Sequence, residues 1–175
     1  MKTRTLTIVA LIFAAALTRL VPHPYNFAPM TAVALFGGAH FSKKAAAFLV
    51  PLAAMLIGDV VLGFHITMPF VYASFAVTVA LGFWVRQSRS VGRIAMATGI
   101  SSALFFIVTN FGVWAFQSLY PKTVAGLGAC YVAALPFLQQ TILGDALYTA
   151  ALFGTFALAE KWVPTLREIP AAQTA

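Results

Sequence analysis

The chain has 175 residues, of which 61% are hydrophobic and only 9% are charged. This composition excludes a soluble globular domain and is typical of a membrane protein, and the length allows a single domain. The net charge of +7 does not indicate nucleic-acid binding, because the basic residues stand in short clusters between apolar segments. Membrane proteins fix their orientation with such clusters.

Six apolar segments follow one another along the chain, and most have the roughly 17–25 residues that a membrane-spanning helix requires. They cover residues 5–21, 25–41, 45–63, 68–85, 94–117 and 131–159. The sequence therefore predicts an all-α, polytopic membrane helix bundle with six transmembrane helices, formed by residues 1–163. Residues 164–175 are predicted to be a short, solvated cytoplasmic tail.

The first segment has features of a signal peptide, with Lys2 and Arg4 before an apolar run that contains three consecutive alanines. We expect it to remain as the first helix, because the later segments alternate correctly only if it does. Along this helix Ala10 and Ala14 are four residues apart, and small residues at this spacing let two helices approach closely. A docking face for another membrane subunit is one interpretation of this pair.

The first two apolar segments are separated by a polar, proline-rich stretch at residues 19–30, here called the Pro-rich segment. Pro22, Pro24 and Pro29 fix φ and favour extended backbone at the preceding residues, which predicts a stiff, non-helical connection. One interpretation is a pocket wall or lid that presents the polar side chains Arg19, His23, Tyr25 and Asn26. The other is a rigid corner at the membrane interface.

The second apolar segment is the weakest, with Pro29 near its start and Gly37 and Gly38 near its end, and it could be a re-entrant half-helix. The distribution of charge favours a full span. With six spans and both termini in the cytoplasm, all but two of the eleven basic residues face the cytoplasm, the two being Arg19 and Lys122.

Polar residues within the apolar segments gather in the outer half of the predicted bundle, although scattered structural groups would be spread evenly over depth. Asn110 and Trp114, for example, are four residues apart and share one helical face. We therefore predict an outward-opening substrate-binding pocket, with the lining residues Arg19, His23, Asn26, Asp59, His65, Asn110, Trp114 and Gln139. The alternative is interhelical hydrogen bonding combined with an aromatic belt.

Two further residues carry chemistry of their own. Asp145 lies deeper on the sixth segment, where it could relay protons or sense an ion. A structural role, either paired with Arg19 or hydrogen-bonded to Tyr148 and Thr149, is the favoured interpretation. Cys130 is the single cysteine, which excludes a disulfide framework and a multi-cysteine metal site, and we interpret it as a small packing residue.

Several motifs in this sequence resemble an uncharacterised bacterial family of small transport proteins. They include Arg19-x-x-Pro22-His23-Pro24-x-Asn26-Phe27-x-Pro29, the Ala34–Ala39 stretch ALFGGA and the Thr109–Trp114 stretch TNFGVW. More distantly, the size and six-helix plan are similar to the substrate-binding S subunits of energy-coupling-factor (ECF) vitamin transporters. That resemblance implies an outward-facing vitamin pocket and a coupling subunit, which in those proteins meets a small-xxx-small face like Ala10-x-x-x-Ala14. A solitary cobalamin-binding branch ligates cobalt through a cysteine, and Cys130 is the only candidate here.

The leading prediction is a substrate-binding transport component for a small, vitamin- or cofactor-like metabolite in the bacterial cytoplasmic (inner) membrane. Because the chain has no P-loop, any ATP-driven step would belong to a partner. We expect no catalytic activity, cofactor, resident metal or nucleic-acid partner. Two rival classes are an intramembrane enzyme, with His23, His65 and Asp59 around a metal, and a membrane scaffold, which needs no small-molecule pocket.

Overall fold

The computed structural model describes residues 2–168, which form six α-helices and two short 3-10 helices, with no strand in this range. The α-helices are α1 (Lys2–Leu17), α2 (Met30–His40), α3 (Lys44–Leu62), α4 (Met68–Gln87), α5 (Val91–Phe116) and α6 (Val124–Trp162). Every one of these except α2 is long and apolar enough to cross a membrane, α1 together with the 3-10 turn Thr18–Leu20 that follows it. The all-α prediction is confirmed for these residues, and the chain has the helices of a multi-pass membrane protein.

The short helix α2 is the centre of the bundle. All 11 of its residues are buried, and it packs against each of the other five α-helices. A helix that is apolar on every face belongs in a core, and the glycines and alanines of α2 let its neighbours come close. The predicted second helix at residues 25–41 is therefore wrong at its start, because the stretch that contains Pro24 and Pro29 is not helical.

The closest packing in the core is between α2 and α4. A Cβ atom added to Gly82 of α4 would lie 2.6 Å from the Cα atom of Gly38 in α2. Real Cβ atoms do not approach another carbon this closely, so the two backbones cross at a point where neither residue can carry a side chain. The paired glycines near the end of the second apolar segment therefore serve helix packing.

Charged side chains gather at one end of the bundle, here called the charged end. Arg4 of α1 and Arg89, which precedes α5, lie 3.4 and 3.3 Å from Glu160 of α6. Arg86 of α4 lies 2.8 Å from Glu168 and also donates to the main-chain oxygen of Phe41, just beyond α2. These contacts bring the ends of five helices together. The opposite end, which carries the Pro-rich segment and residues 117–123, is called the loop end.

The last helix is longer than predicted. Helix α6 has 39 residues, from Val124 to Trp162, whereas the sequence predicted residues 131–159. It begins where the Thr123 side chain accepts a hydrogen bond from the main-chain N–H of Gly126, at 3.1 Å. After α6, Leu166 is buried against the bundle, so the first part of the expected solvated tail packs back on the helices. Residues 169–175 of that tail lie outside the described residues.

Candidate functional site

The Pro-rich segment descends from the loop end into the bundle. The main-chain N–H of Phe27 donates to Pro24 at 3.0 Å, which closes a turn that includes Asn26. Asn26 has a φ of 60°, a left-handed conformation that asparagine tolerates better than most residues. After the turn, the backbone at Phe27 packs directly on α6, where a Cβ atom on Gly144 would lie 3.1 Å from the Phe27 Cα atom. The segment thereby reaches the core and starts α2 there.

A cavity of about 550 Å³ lies beside this segment. Its lining runs from exposed residues at the loop end, such as His23 and His65, to the buried residues Thr31, Thr141 and Asp145. The cavity is therefore open at the loop end and closed by a floor deep in the bundle. Small-molecule sites in proteins usually have volumes of roughly 300–1,000 Å³, and this cavity lies within that range.

The predicted pocket residues fall into two groups. The lining of the cavity includes Arg19, His23, Asn26, His65 and Asn110, and it does not include the other three. Asp59 lies behind Arg19, with its Oδ1 atom 2.5 Å from the guanidinium. The hydroxyl of Tyr72 donates to the Oδ2 atom of Asp59 at 2.8 Å, so both oxygens of this carboxylate have partners and Asp59 positions Arg19 without lining the cavity.

Trp114 and Gln139 are not part of the cavity wall. The indole N–H of Trp114 donates to the main-chain oxygen of Pro121 at 2.9 Å, and the ammonium group of Lys122 donates to the oxygen of Trp114 itself. Trp114 thus braces the connection between α5 and α6. Gln139 is exposed on the outside of the bundle. The structure therefore does not bring these two predicted binding residues to the cavity.

The helical period explains why these two side chains lie outside the lining. On α5 the lining residues Phe105, Thr109, Asn110 and Val113 centre the cavity face near Thr109, and Trp114 lies about 140° around the helix from Thr109. On α6 the lining residues recur every three or four positions: Ala134, Phe137, Thr141 and Asp145. Gln139 comes two residues after Phe137, which places it about 200° around the helix.

Besides Tyr25, which was expected in a pocket wall, the cavity has phenylalanine walls that the sequence did not indicate. Phe75 of α4 and Phe105 of α5 stack with ring centroids 5.5 Å apart and an interplanar angle of 25°. Tyr25 and Phe137 meet edge to face at 6.4 Å. A pattern search for the 105–109–113 spacing on α5 would have found Phe105 and Thr109. Nothing in the sequence marks Phe75 as distinct from the many other phenylalanines of the chain.

Asp145 forms the floor with partners that were not predicted. The hydroxyl of Ser102 donates to its Oδ2 atom at 2.6 Å, and Thr31, near the start of α2, is a second hydroxyl partner. Tyr148 and Thr149 bond to other residues: Tyr148 accepts from Thr18 at 3.2 Å, and Thr149 from a threonine of α5 at 3.4 Å. Arg19 is committed to Asp59. All three partners expected for Asp145 were therefore wrong.

Comparison with known proteins places the chain in a family. Residues 1–166 match a family that is described as a family of unknown function, DUF6580. The chain belongs to DUF6580. No curated protein and no solved structure matches it. The match spans residues 1–166 without assigning a motif, so the resemblance carried by the residues around Pro22–Pro24 and Asn110 and the resemblance to ECF S subunits both stay predictions.

In this DUF6580 protein, Cys130 does not line the cavity. It is buried, and its Sγ atom lies 3.5 Å from the main-chain oxygen of Asn110, so that it packs α6 against α5. A cobalt ligand would have to face the cavity, and this position agrees with the packing interpretation of Cys130. In the described part of the chain, no group of three or more His, Cys, Asp or Glu residues is placed to hold a metal ion.

Proposed function

We propose that this protein is a membrane-embedded, substrate-binding component of a transport system for a small, vitamin- or cofactor-like metabolite. The observation that carries the proposal is the cavity of about 550 Å³, which is open at the loop end and closed by a buried floor. Its lining combines aromatic walls with a few convergent polar groups, as small-molecule sites do. A scaffold has no need of such a cavity.

The position of α2 supports this proposal. A helix of 11 residues is about 16 Å long, roughly half the thickness of the hydrocarbon core of a bilayer. Met30 and Thr31, the first residues of α2, lie in the cavity lining. The cavity therefore lies beyond the start of α2, in the half of the membrane that this short helix does not cross. Transporters commonly place substrate at the mid-membrane end of a discontinuous helix.

The proposed orientation follows from the basic residues. If the charged end faces the cytoplasm, the chain crosses the membrane six times with both termini inside, and α2 and the Pro-rich segment together make the second crossing. The cavity then opens to the outside of a bacterial inner membrane, where it would collect substrate for uptake. The excess of Lys and Arg at the charged end favours this orientation over its reverse.

Energy for transport would come from a partner or from an ion gradient, because the chain has no nucleotide-binding motif. Ala10 and Ala14 are exposed on the outer face of α1. This small-residue face is the one we propose for a membrane coupling subunit, by similarity to the ECF S subunits.

The proposal is tested by a thermal-shift screen of the detergent-purified protein against vitamins, cofactor precursors and metal ions. A ligand that binds only the folded state raises the melting temperature by an amount set by its concentration relative to Kd. Asn110→Ala, in the cavity wall, should abolish the shift given by a true substrate. Gln139→Ala removes an amide from the outside of α6 and should leave the shift unchanged. A broad screen with no stabilising metabolite would contradict the proposal.

A further inference from the structure

The acidic side chains of this protein differ in whether a basic side chain neutralises their charge. The chain has four Asp and Glu residues. Three of them lie 2.5, 3.3 and 2.8 Å from an arginine: Asp59, Glu160 and Glu168. Asp145 has no basic partner at such a distance within residues 2–168, and its bonds are to hydroxyl groups. Asp145 is therefore the one carboxyl group in the described chain without an ion pair.

The position of Asp145 exposes this group to whatever enters the cavity. The residue is only 2% exposed, yet it lines the floor of a cavity that is open at the loop end. A charge at this depth is costly without compensation. A carboxylate offers about four acceptor positions, and two hydroxyl donors leave room for further donors. Arg19, the arginine of the lining, is already paired with Asp59, and the lining histidines His23 and His65 are exposed at the loop end.

The aromatic residues around Asp145 favour a ligand with a positively charged hydrogen-bond donor. Phe75, Phe105 and Phe137 line the cavity together with Asp145, and Tyr25 stands nearer its entrance. The face of an aromatic ring attracts a cation, and it also contacts the apolar part of an amphipathic molecule. An aromatic enclosure with one carboxyl group at its base is a chemistry that recognises ammonium and amidinium groups.

We propose that the cavity selects a small amphipathic ligand that carries a protonated amine or amidine-type nitrogen. This nitrogen donates to Asp145 at the floor, and the apolar part of the ligand contacts the phenylalanine walls. The assignment rests on the proposed function, since it names the substrate class of the same cavity. Asp145 is then a ligand-binding residue as well as the link between α2, α5 and α6.

The test uses matched probes of one shape and different charge: benzylammonium, benzyl alcohol and benzoate. Their Kd values are measured on the purified full-length protein from melting temperature against probe concentration. We expect benzylammonium to bind about tenfold or more tightly than benzyl alcohol, because a charged acceptor strengthens the hydrogen bond it receives. Asp145→Asn keeps the shape of the floor and should remove that preference. Ser102→Ala keeps the carboxyl group and should retain the preference.

Each other outcome overturns the assignment. Benzyl alcohol or benzoate binding as tightly as benzylammonium would show that the floor does not select a cation, although the cavity would still bind ligands as proposed. Loss of the preference in Ser102→Ala would assign the selection to the hydroxyl group. If no probe binds while a metabolite from the broader screen does, the ligand class is wrong and the proposed function stands; if nothing binds, both fail. Should Asp145→Asn not fold, the wild type and Ser102→Ala decide.

Discussion

Arg19 and Asp59, forty residues apart in the chain, form an ion pair of 2.5 Å at the rim of the cavity. Asp59 is almost fully buried, with a side chain 4% exposed, while Arg19 is 21% exposed and faces the cavity. The pair fixes the end of α1 to α3, and the hydroxyl of Tyr72 adds α4 to the same contact. The carboxylate thereby holds the Arg19 side chain in place against the cavity.

Breaking this pair from either side should be costly. Asp59→Asn leaves the guanidinium of Arg19 without its counter-charge, and we expect it to lower the free energy of unfolding by about 3 kcal/mol. The double variant Arg19→Met/Asp59→Leu removes both charges and should cost clearly less than the sum of Arg19→Met and Asp59→Leu. The coupling energy between the two side chains is measured by unfolding the wild type, Arg19→Met, Asp59→Leu and the double variant in mixed micelles. Additive losses would contradict a direct interaction between the two side chains.

The crossing of α2 and α4 predicts a second difference in stability. Gly82→Ala places a methyl group 2.6 Å from the Cα atom of Gly38, so the helices must separate. We expect a loss of about 1–3 kcal/mol in the free energy of unfolding, as for other overpacked cores.

Gly154→Ala is the matched control for this crossing. Gly154 also lies in the middle of a helix, but a Cβ atom there would meet nothing within 4 Å. Because alanine is the better helix former, this variant should be neutral or up to about 1 kcal/mol more stable. Equal effects at the two glycines, measured by the same unfolding assay, would mean that the close α2–α4 contact is absent.

The proposed orientation in the membrane can be tested with two serine-to-cysteine variants. Ser88 is exposed beyond the end of α4 at the charged end, and Ser118 is exposed beyond α5 at the loop end. In a Cys130→Ala background, we expect a membrane-impermeant maleimide added to intact bacterial spheroplasts to label Ser118→Cys and not Ser88→Cys. After the membranes are opened, both variants should react. Labelling of Ser88→Cys alone in intact spheroplasts would reverse the orientation and direct the cavity to the cytoplasm.

The sequence was sufficient for the features that depend on long, periodic patterns. Runs of apolar residues correctly predicted the long helices, and the prolines at 22, 24 and 29 correctly predicted the non-helical segment. The start of α2 was misplaced because apolar residues such as Tyr25 and Phe27 continue the hydrophobic pattern through a stretch where proline prevents a helix. An apolar stretch is therefore not always helical, nor always buried, since Tyr25 is 84% exposed.

The cavity residues were predictable only in part, for a geometric reason. Depth along a helix follows from residue number, so most of the polar groups that were predicted to share one half of the bundle do lie towards the same end, the loop end. Rotation about the helix axis depends on how neighbours pack, and a difference of one or two positions moved Trp114 and Gln139 away from the cavity. The hydrogen-bond partners of the buried polar residues were harder still to predict from the sequence. The bond from Ser102 to Asp145 joins residues 43 positions apart, and no spacing rule connects them.

The most direct test of the account asks whether ligand binding depends on the space inside the bundle. Ala134 lines the cavity and is buried, whereas its neighbour Ala133 is exposed on the outside of α6. Ala134→Phe should fill part of the cavity and abolish the rise in melting temperature produced by a ligand that stabilises the wild type. Ala133→Phe adds the same side chain outside and should preserve that rise. An undiminished rise in Ala134→Phe would contradict the assignment of the cavity as the binding site.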